Sequence, residues 1–177
     1  GWDWENSCLT LLFNGMDSTG MNVWGKKINH EAVARHTEII PGAAYTIRSH
    51  YSNMLIEVPE GGDEAGLTIR QGKDNGETYQ VWRTAQHPDG DWSLVAEHSA
   101  DNKVIEVPDS DPSATFLKLG SLTGGDKQKF ELEYKGDVYF KILTRVSDYT
   151  KCFDLYNFSI EEGGFISQWD DLRSEEH

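Results

Sequence analysis

A strand-like pattern recurs along this chain with a period of about 48 residues, and such a period determines architecture before any local propensity does, because each unit buries its apolar face against its copies. Three segments carry it. Tyr45-Thr46-Ile47-Arg48-Ser49, Trp92-Ser93-Leu94-Val95-Ala96 and Tyr139-Phe140-Lys141-Ile142-Leu143 begin 47 residues apart in both steps. Each comes after a glycine turn, at Pro41-Gly42, Asp89-Gly90 and Gly136-Asp137, where the backbone reversal suits a residue without a Cβ. Downstream come Ile56-Glu57-Val58, Ile105-Glu106-Val107 and Phe153-Asp154-Leu155, apolar-acid-apolar triplets whose alternation marks strands. Gln80-Val81-Trp82 and Gln128-Lys129-Phe130 close the first two copies, and the third closing aromatic would fall just past His177. No 3.6-residue period persists long enough for a packed helix. The expectation is an all-β chain: three units of about four short strands each, over residues 43–177, preceded by an extension of about 42 residues, 1–42.

Composition narrows the possible partners. The 177 residues include six Trp, seven Tyr and seven Phe, with 17 Gly, which suits a turn-rich globular β protein and not a disordered one. A formal net charge of −14 disfavours nucleic acid and anionic membranes. No apolar run approaches the ~20 residues of a spanning helix, so no membrane insertion is expected. No basic segment leading into an apolar one opens the chain, so a secreted form would already be processed. Cys8 and Cys152 are too far apart in sequence for a CxxC site; one disulfide and two unrelated buried thiols both remain open.

With its period, its Gln-x-aromatic closers and its triplets, the chain resembles the ricin B-chain-like β-trefoil lectins, including the family 13 carbohydrate-binding modules, over about Gly42 to His177. The resemblance implies a β-trefoil and a glycan partner, an oligosaccharide or polysaccharide. In that family a pocket takes the triplet acid, a polar residue with an aromatic two positions later on the next strand, and an Asn-Gln pair before the closing aromatic. The chemistry is reasonable: a carboxylate accepts sugar hydroxyls while a ring lies under the C–H face.

The third copy fits best. It offers Asp154, Ser167 where the family has Gln, and Trp169, with Asn157 and the flexible Gly163-Gly164 in a loop that could form the rim. Its Asn-Gln pair would lie beyond residue 177. The first copy has Glu57 with Thr68 and Arg70 at the polar and stacking places, and Tyr79 before Gln80; the second has Glu106 with Phe116 and Lys118, and Lys127 before Gln128. Glu57, Arg70, Glu106 and Lys118 therefore read as degenerate sites. Gln80, Trp82, Gln128 and Phe130 read as structural, the aromatics packing in the core and the glutamines satisfying backbone groups.

Other constellations carry less. His30-Glu31 with His36 lacks the i, i+4 spacing of a zinc helix, and the acidic loops 60–64 and 109–111 lack alternating oxygen ligands for calcium. No nucleophile elbow, P-loop or catalytic carboxylate pair is legible, so no enzyme, cofactor or metal is expected. In the extension, residues 8–13 read as a strand ended by Asn14-Gly15 and residues 28–35 as a short helix. This strand is expected to stand in for the missing closing strand, bringing Cys8 toward Cys152, with Trp2 or Trp4 filling the core. The leading functional expectation is a non-catalytic lectin or carbohydrate-binding module of a larger secreted, extracellular protein, next to neighbouring domains of the same polypeptide. The alternative is a trefoil used as a protein-interaction or inhibitor scaffold.

Overall fold

The computed structural model describes residues 8–16, 38–108 and 115–171. Among them the chain is all-β, with thirteen strands in one continuous sheet and single 3-10 turns as the only helical elements. Six strands close a barrel: β1 (Leu11–Met16), β2 (Ala44–Ser49), β5 (Trp82–Gln86), β6 (Trp92–Ala96), β10 (Phe130–Gly136) and β11 (Tyr139–Thr144). Each pairs antiparallel with the next, and β1 completes the ring by pairing with both β11 and β2. Closure leaves the barrel without a free edge. The turns at Gly42, Gly90 and Gly136 take φ of 83°, 97° and 101°, as a glycine allows.

Alternation along these strands sends Leu11 and Phe13, Tyr45 and Ile47, Trp82, Leu94 and Ala96, Phe130, and Phe140 and Ile142 into one core. The closing aromatics lie at the barrel's heart, where Trp82 is fully buried and its indole N–H donates to Ile56 O at 3.0 Å. Register shows what stands in the third closing place. Leu11 opposes Ser49 as Trp82 opposes Ala96 and Phe130 opposes Thr144. Phe13, one step on, meets the rings of Tyr45 and Phe140 edge-on at 5.8 and 5.7 Å.

The strand expected at residues 8–13 thus runs on to Met16, and Asn14-Gly15 is not a turn: both residues sit in the ladder, opposite Thr46 and Tyr45. Pairing with β2 along the whole of β1 overrides the local turn preference. Cys8 and Cys152 form a disulfide with Cα atoms 5.6 Å apart, tying the segment before β1 to β12 (Lys151–Leu155). Trp2, Trp4, the 28–35 helix, the His30–His36 cluster and the 109–111 loop lie outside the described residues.

Over one mouth of the barrel stand three hairpins. β3 (Leu55–Glu57) pairs with β4 (Arg70–Gly72), β7 (Val104–Glu106) with β9 (Lys118–Gly120), and β12 with β13 (Ile166–Asp170). They join in a ring, Thr68 bridging to Lys118, Phe116 on β8 (Thr115–Phe116) to Ser167, and Phe165 to Arg70. Each acidic triplet lies on the first strand of one hairpin.

Candidate functional site

Residues opposite one another in an antiparallel pair share a face of the sheet. On the hairpins, Ile56, Ile105, Phe153, Leu155 and Ile166 face the core, so the triplet acids face outward. With the bridges between hairpins, each acid heads a row of three: Glu57–Arg70–Phe165, Glu106–Lys118–Thr68 and Asp154–Ser167–Phe116. The next residues of this face are Gly72, Gly120 and Trp169, opposite Leu55, Val104 and Cys152.

This register corrects the sequence alignment by one alternation. Arg70 and Lys118 match Ser167, and the positions matching Trp169 are Gly72 and Gly120, whereas Thr68 and Phe116 match Phe165. The ladder fixes this; an offset of two residues keeps each side chain on the same face, so alternation in the sequence cannot reveal it.

The first two acids are engaged by the protein itself. Gln80 donates from Nε2 to Glu57 Oε1 at 2.8 Å, and Arg70 Nε donates to Glu57 Oε2 at 2.8 Å. Gln128 donates to Glu106 Oε1 at 2.9 Å while its own Oε1 accepts from the N–H groups of Thr123 and Gly124. Both glutamates fold over a glycine: a Cβ on Gly72 would stand 2.2 Å from Glu57 Oε1, and one on Gly120 would stand 2.1 Å from Glu106 Cδ. Contacts that short exclude any side chain, so a ring cannot occupy these two places while a glutamate lies there.

The third acid differs at every one of these points. Asp154 is one methylene shorter, which leaves the next position free for Trp169, a residue 44% exposed. Opposite it stands Ser167 instead of a cation. The place of Gln80 and Gln128 falls to Leu9, two residues before Leu11, which has no amide to offer. Asp154 is 9% exposed, and its Oδ1 has no hydrogen-bond partner among the described residues. Burial accordingly pushes its carboxyl up to about 7, against the opposing hydrogen bond of the Leu155 N–H.

Three rings border the same row on the side of the hairpin tip. Phe116 meets Tyr156 edge-on at 4.9 Å and Phe165 at 5.1 Å, and Tyr156 and Phe165 are 43% and 40% exposed. Sequence reasoning missed Phe116, Tyr156 and Phe165 as neighbours of Asp154: Phe116 reaches the row only through pairing between hairpins, and Tyr156 and Phe165 lie one alternation toward the tip of the same hairpin. Ser167 lies beside Asp154 as expected, but it is buried to 2% exposure.

Asn157 is exposed at a left-handed turn (φ 57°) and makes no side-chain hydrogen bond among the described residues. Its loop is held elsewhere: Gln71 donates to Ser159 O and Glu161 O at 3.1 and 2.8 Å, and Gly163 N–H donates to Gln71 O at 2.8 Å. The expected flexibility of Gly163-Gly164 is therefore replaced by anchoring to β4. A cleft of about 540 Å³ opens beside the second hairpin, lined by Glu106, Thr123, Gly125, Asp126, Lys127 and Val146. The acidic loop 60–64 is a brace, Asp63 accepting from Ser99 Oγ and Ala100 N–H at 2.6 and 2.9 Å.

A closed six-stranded barrel capped by a ring of hairpins defines a β-trefoil. Residues 35–118 match the family described as ricin-type beta-trefoil lectin domain-like. The fold overlays on the designed three-fold symmetric protein ThreeFoil at 28% identity and a TM-score of 0.67, over 72% of this chain and 89% of that one. It also overlays on the exo-beta-1,3-galactanase 1,3Gal43A of Clostridium thermocellum at 29% identity and a TM-score of 0.68, over 76% of this chain but 29% of the galactanase. The ricin B-like lectin of Macrolepiota procera, solved with lactose, shares the fold at 15% identity and a TM-score of 0.63, over 77% of this chain and 94% of that one. No curated protein sequence matches the chain.

Proposed function

We propose that this chain is a non-catalytic carbohydrate-binding module, built of three units of about 48 residues with β1 as the last barrel strand, and that it binds glycan at the third hairpin. The observation that carries the reading is the unengaged carboxylate oxygen of Asp154, one alternation from the exposed indole of Trp169. Asp154 accepts sugar hydroxyls, Trp169 stacks on the apolar face, and Ser167 shapes the floor. Asn157 and its loop stand at the outer rim. Glu57, held through both oxygens by Gln80 and Arg70, and Glu106, held through Oε1 by Gln128, serve as structure.

The lectin-like family match supports the reading, as does the fold shared with a lectin solved with lactose. Location at the end or middle of a secreted, extracellular multidomain protein, with neighbouring domains on the same polypeptide, is part of the same proposal; the disulfide suits an oxidising compartment. One aromatic stack adds about 0.5–1.5 kcal/mol beyond burial, so affinity near the millimolar level, about −4 kcal/mol, is expected. Calorimetric titration of the protein and of Trp169→Ala against mono- and oligosaccharides tests this: weak binding reduced about fivefold in the variant supports it, and no binding to any glycan contradicts it.

A second reading, a protein-interaction scaffold, is favoured by the exposed apolar residues Tyr156, Ile160 and Phe165 around the third hairpin tip. Unchanged binding by Trp169→Ala would favour it.

A further inference from the structure

The three outer rows carry an acid in the same place but differ in the residues that succeed it. In the first row the order is acid, cation, ring: Glu57, then Arg70 with Nε 2.8 Å from Glu57 Oε2, then Phe165. In the second row Lys118 again stands beside the acid, its Nζ donating to Thr68 Oγ1 at 2.8 Å. In the third row the acid and the ring remain, Asp154 and Phe116, and the member between them is Ser167.

We infer that the third-hairpin site takes a sugar bearing a protonated amine, whose ammonium lies over Ser167 between Asp154 and Phe116, where the first row has its own guanidinium. The inference rests on the glycan-binding reading above and names its substrate class.

Charge, aromatic surroundings and long-range field all favour such a ligand. A buried carboxylate without a partner is costly, and an ammonium supplies both opposite charge and donors, where a neutral hydroxyl supplies a donor alone. Phe116, Tyr156, Phe165 and Trp169 border the row on both sides, and aromatic faces attract cations. A chain of net charge −14 draws a cationic ligand toward it over distance.

The described groups that face Asp154 supply no cation. On β13 they are Ser167 and Trp169, on β8 Phe116, on the hairpin loop Tyr156, and on β12 Cys152 with its disulfide to Cys8. The nearest charges on the same strands, Lys151 and Asp170, pair with each other at the open end of the hairpin, and Lys141 pairs with Asp171 at 3.0 Å. Glu161 and Glu162 lie on the loop and add only negative charge.

Binding an ammonium favours the ionised form of Asp154, so the proton that burial keeps on the free protein leaves to solvent. At a pH about one unit below 7, uptake of the amino sugar should release ~1 proton per site. Affinity should rise with pH through that range, until the ligand's own amine deprotonates.

The test compares glucosamine oligomers with N-acetylglucosamine oligomers of equal length, which differ only in the amine, by calorimetry in buffers of different ionisation enthalpy. Galactosamine and N-acetylgalactosamine form a second pair. The expected result is about tenfold tighter binding of the free amines, with proton release. In Asp154→Asn that preference should vanish. Ser167→Arg, which installs the cation of the first row, should remove it as well and serves if Asp154→Asn fails to fold. Equal affinity for amine and acetamide would overturn the inference and leave the glycan reading in place. Absence of binding to all four ligands and to neutral sugars would overturn both. Choline or ethylamine binding as tightly as the amino sugars would overturn it too, since the sugar ring would then contribute nothing.

Discussion

The second and third hairpins are built on the same backbone plan and put their side chains to opposite uses. In the second, Glu106 lies across Gly120 and is held by Gln128, which also binds the preceding loop; its acid joins hairpin to closing strand. In the third, Leu9 replaces that glutamine and the disulfide from Cys8 to Cys152 makes the join. Asp154 is thereby released from structural duty. The three substitutions form one set: a shorter acid makes room for Trp169, and the covalent tie removes the need for the amide. On the proposed reading, a site becomes available where the fold is secured by other means.

Breaking the covalent tie should have the largest effect. The Cys8→Ser, Cys152→Ser double variant is expected to lose about 2–5 kcal/mol, read by denaturant titration, because β1 closes the barrel and Leu9 in its segment offers no amide in place of the glutamine. A loss no greater than that of Gln128→Ala, about 1–3 kcal/mol, would mean that the two joins are equivalent and the two hairpins differ less than their side chains suggest.

Next comes exchange between the hairpins. Gly120→Trp forces a ring onto the carboxylate of Glu106 and should cost about 3 kcal/mol. Adding Glu106→Asp shortens the acid as in the third hairpin and should recover part of that loss. A second variant that is no more stable than the first would break the proposed coupling of acid length to the neighbouring residue.

Asp154→Asn should show the cost of the unpaired acid. Between the ordinary carboxylate range and about 7, the unfolded chain has lost this proton while the folded one keeps it, so stability falls as pH rises through that window. The variant lacks this fall. After the penalty for its own unpaired amide, it should be about 1–2 kcal/mol more stable than the parent above pH 7 and no more stable near the bottom of the window. Thermal melts at the two ends of the range check this, and a pH-independent difference would contradict it. The smallest effect is that of Trp169→Ala on glycan affinity, about 1 kcal/mol, with stability little changed because the ring is half exposed.

Much of the fold was legible in the sequence because it rests on period and alternation. Tyr45, Trp92 and Tyr139 mark barrel strands, and the triplet acids mark the hairpins, since both patterns report burial on one face of a strand. The place of Asp154 beside Ser167, and of Trp169 near both, was legible for the same reason. What was hidden depended on register and on contacts distant in sequence. The offset that put Arg70 and Lys118 in the place of Trp169 arose because a shift of two residues keeps every side chain on the same face of the strand, so alternation cannot detect it and only the ladder can. Phe116 and Phe165 join the rows through bridges between different hairpins, which no local pattern encodes. Asn14-Gly15 has the chemistry of a turn, yet continuous pairing with β2 makes it strand. Nor does any single residue announce that Leu9 stands where a glutamine would; that emerges only once β1 is seen in the barrel.

If glycan meets the third hairpin because its acid alone lacks the amide of a closing-strand glutamine, the contact should be visible residue by residue. Backbone and indole N–H shifts in a nuclear magnetic resonance titration with an oligosaccharide measure it. Perturbations are predicted to concentrate on Asp154, Ser167, Phe116 and the Trp169 indole N–H, and to leave the Glu57 and Glu106 rows unmoved. Perturbations centred on the cleft of Glu106, Thr123 and Lys127, with the Trp169 indole unshifted, would contradict that assignment.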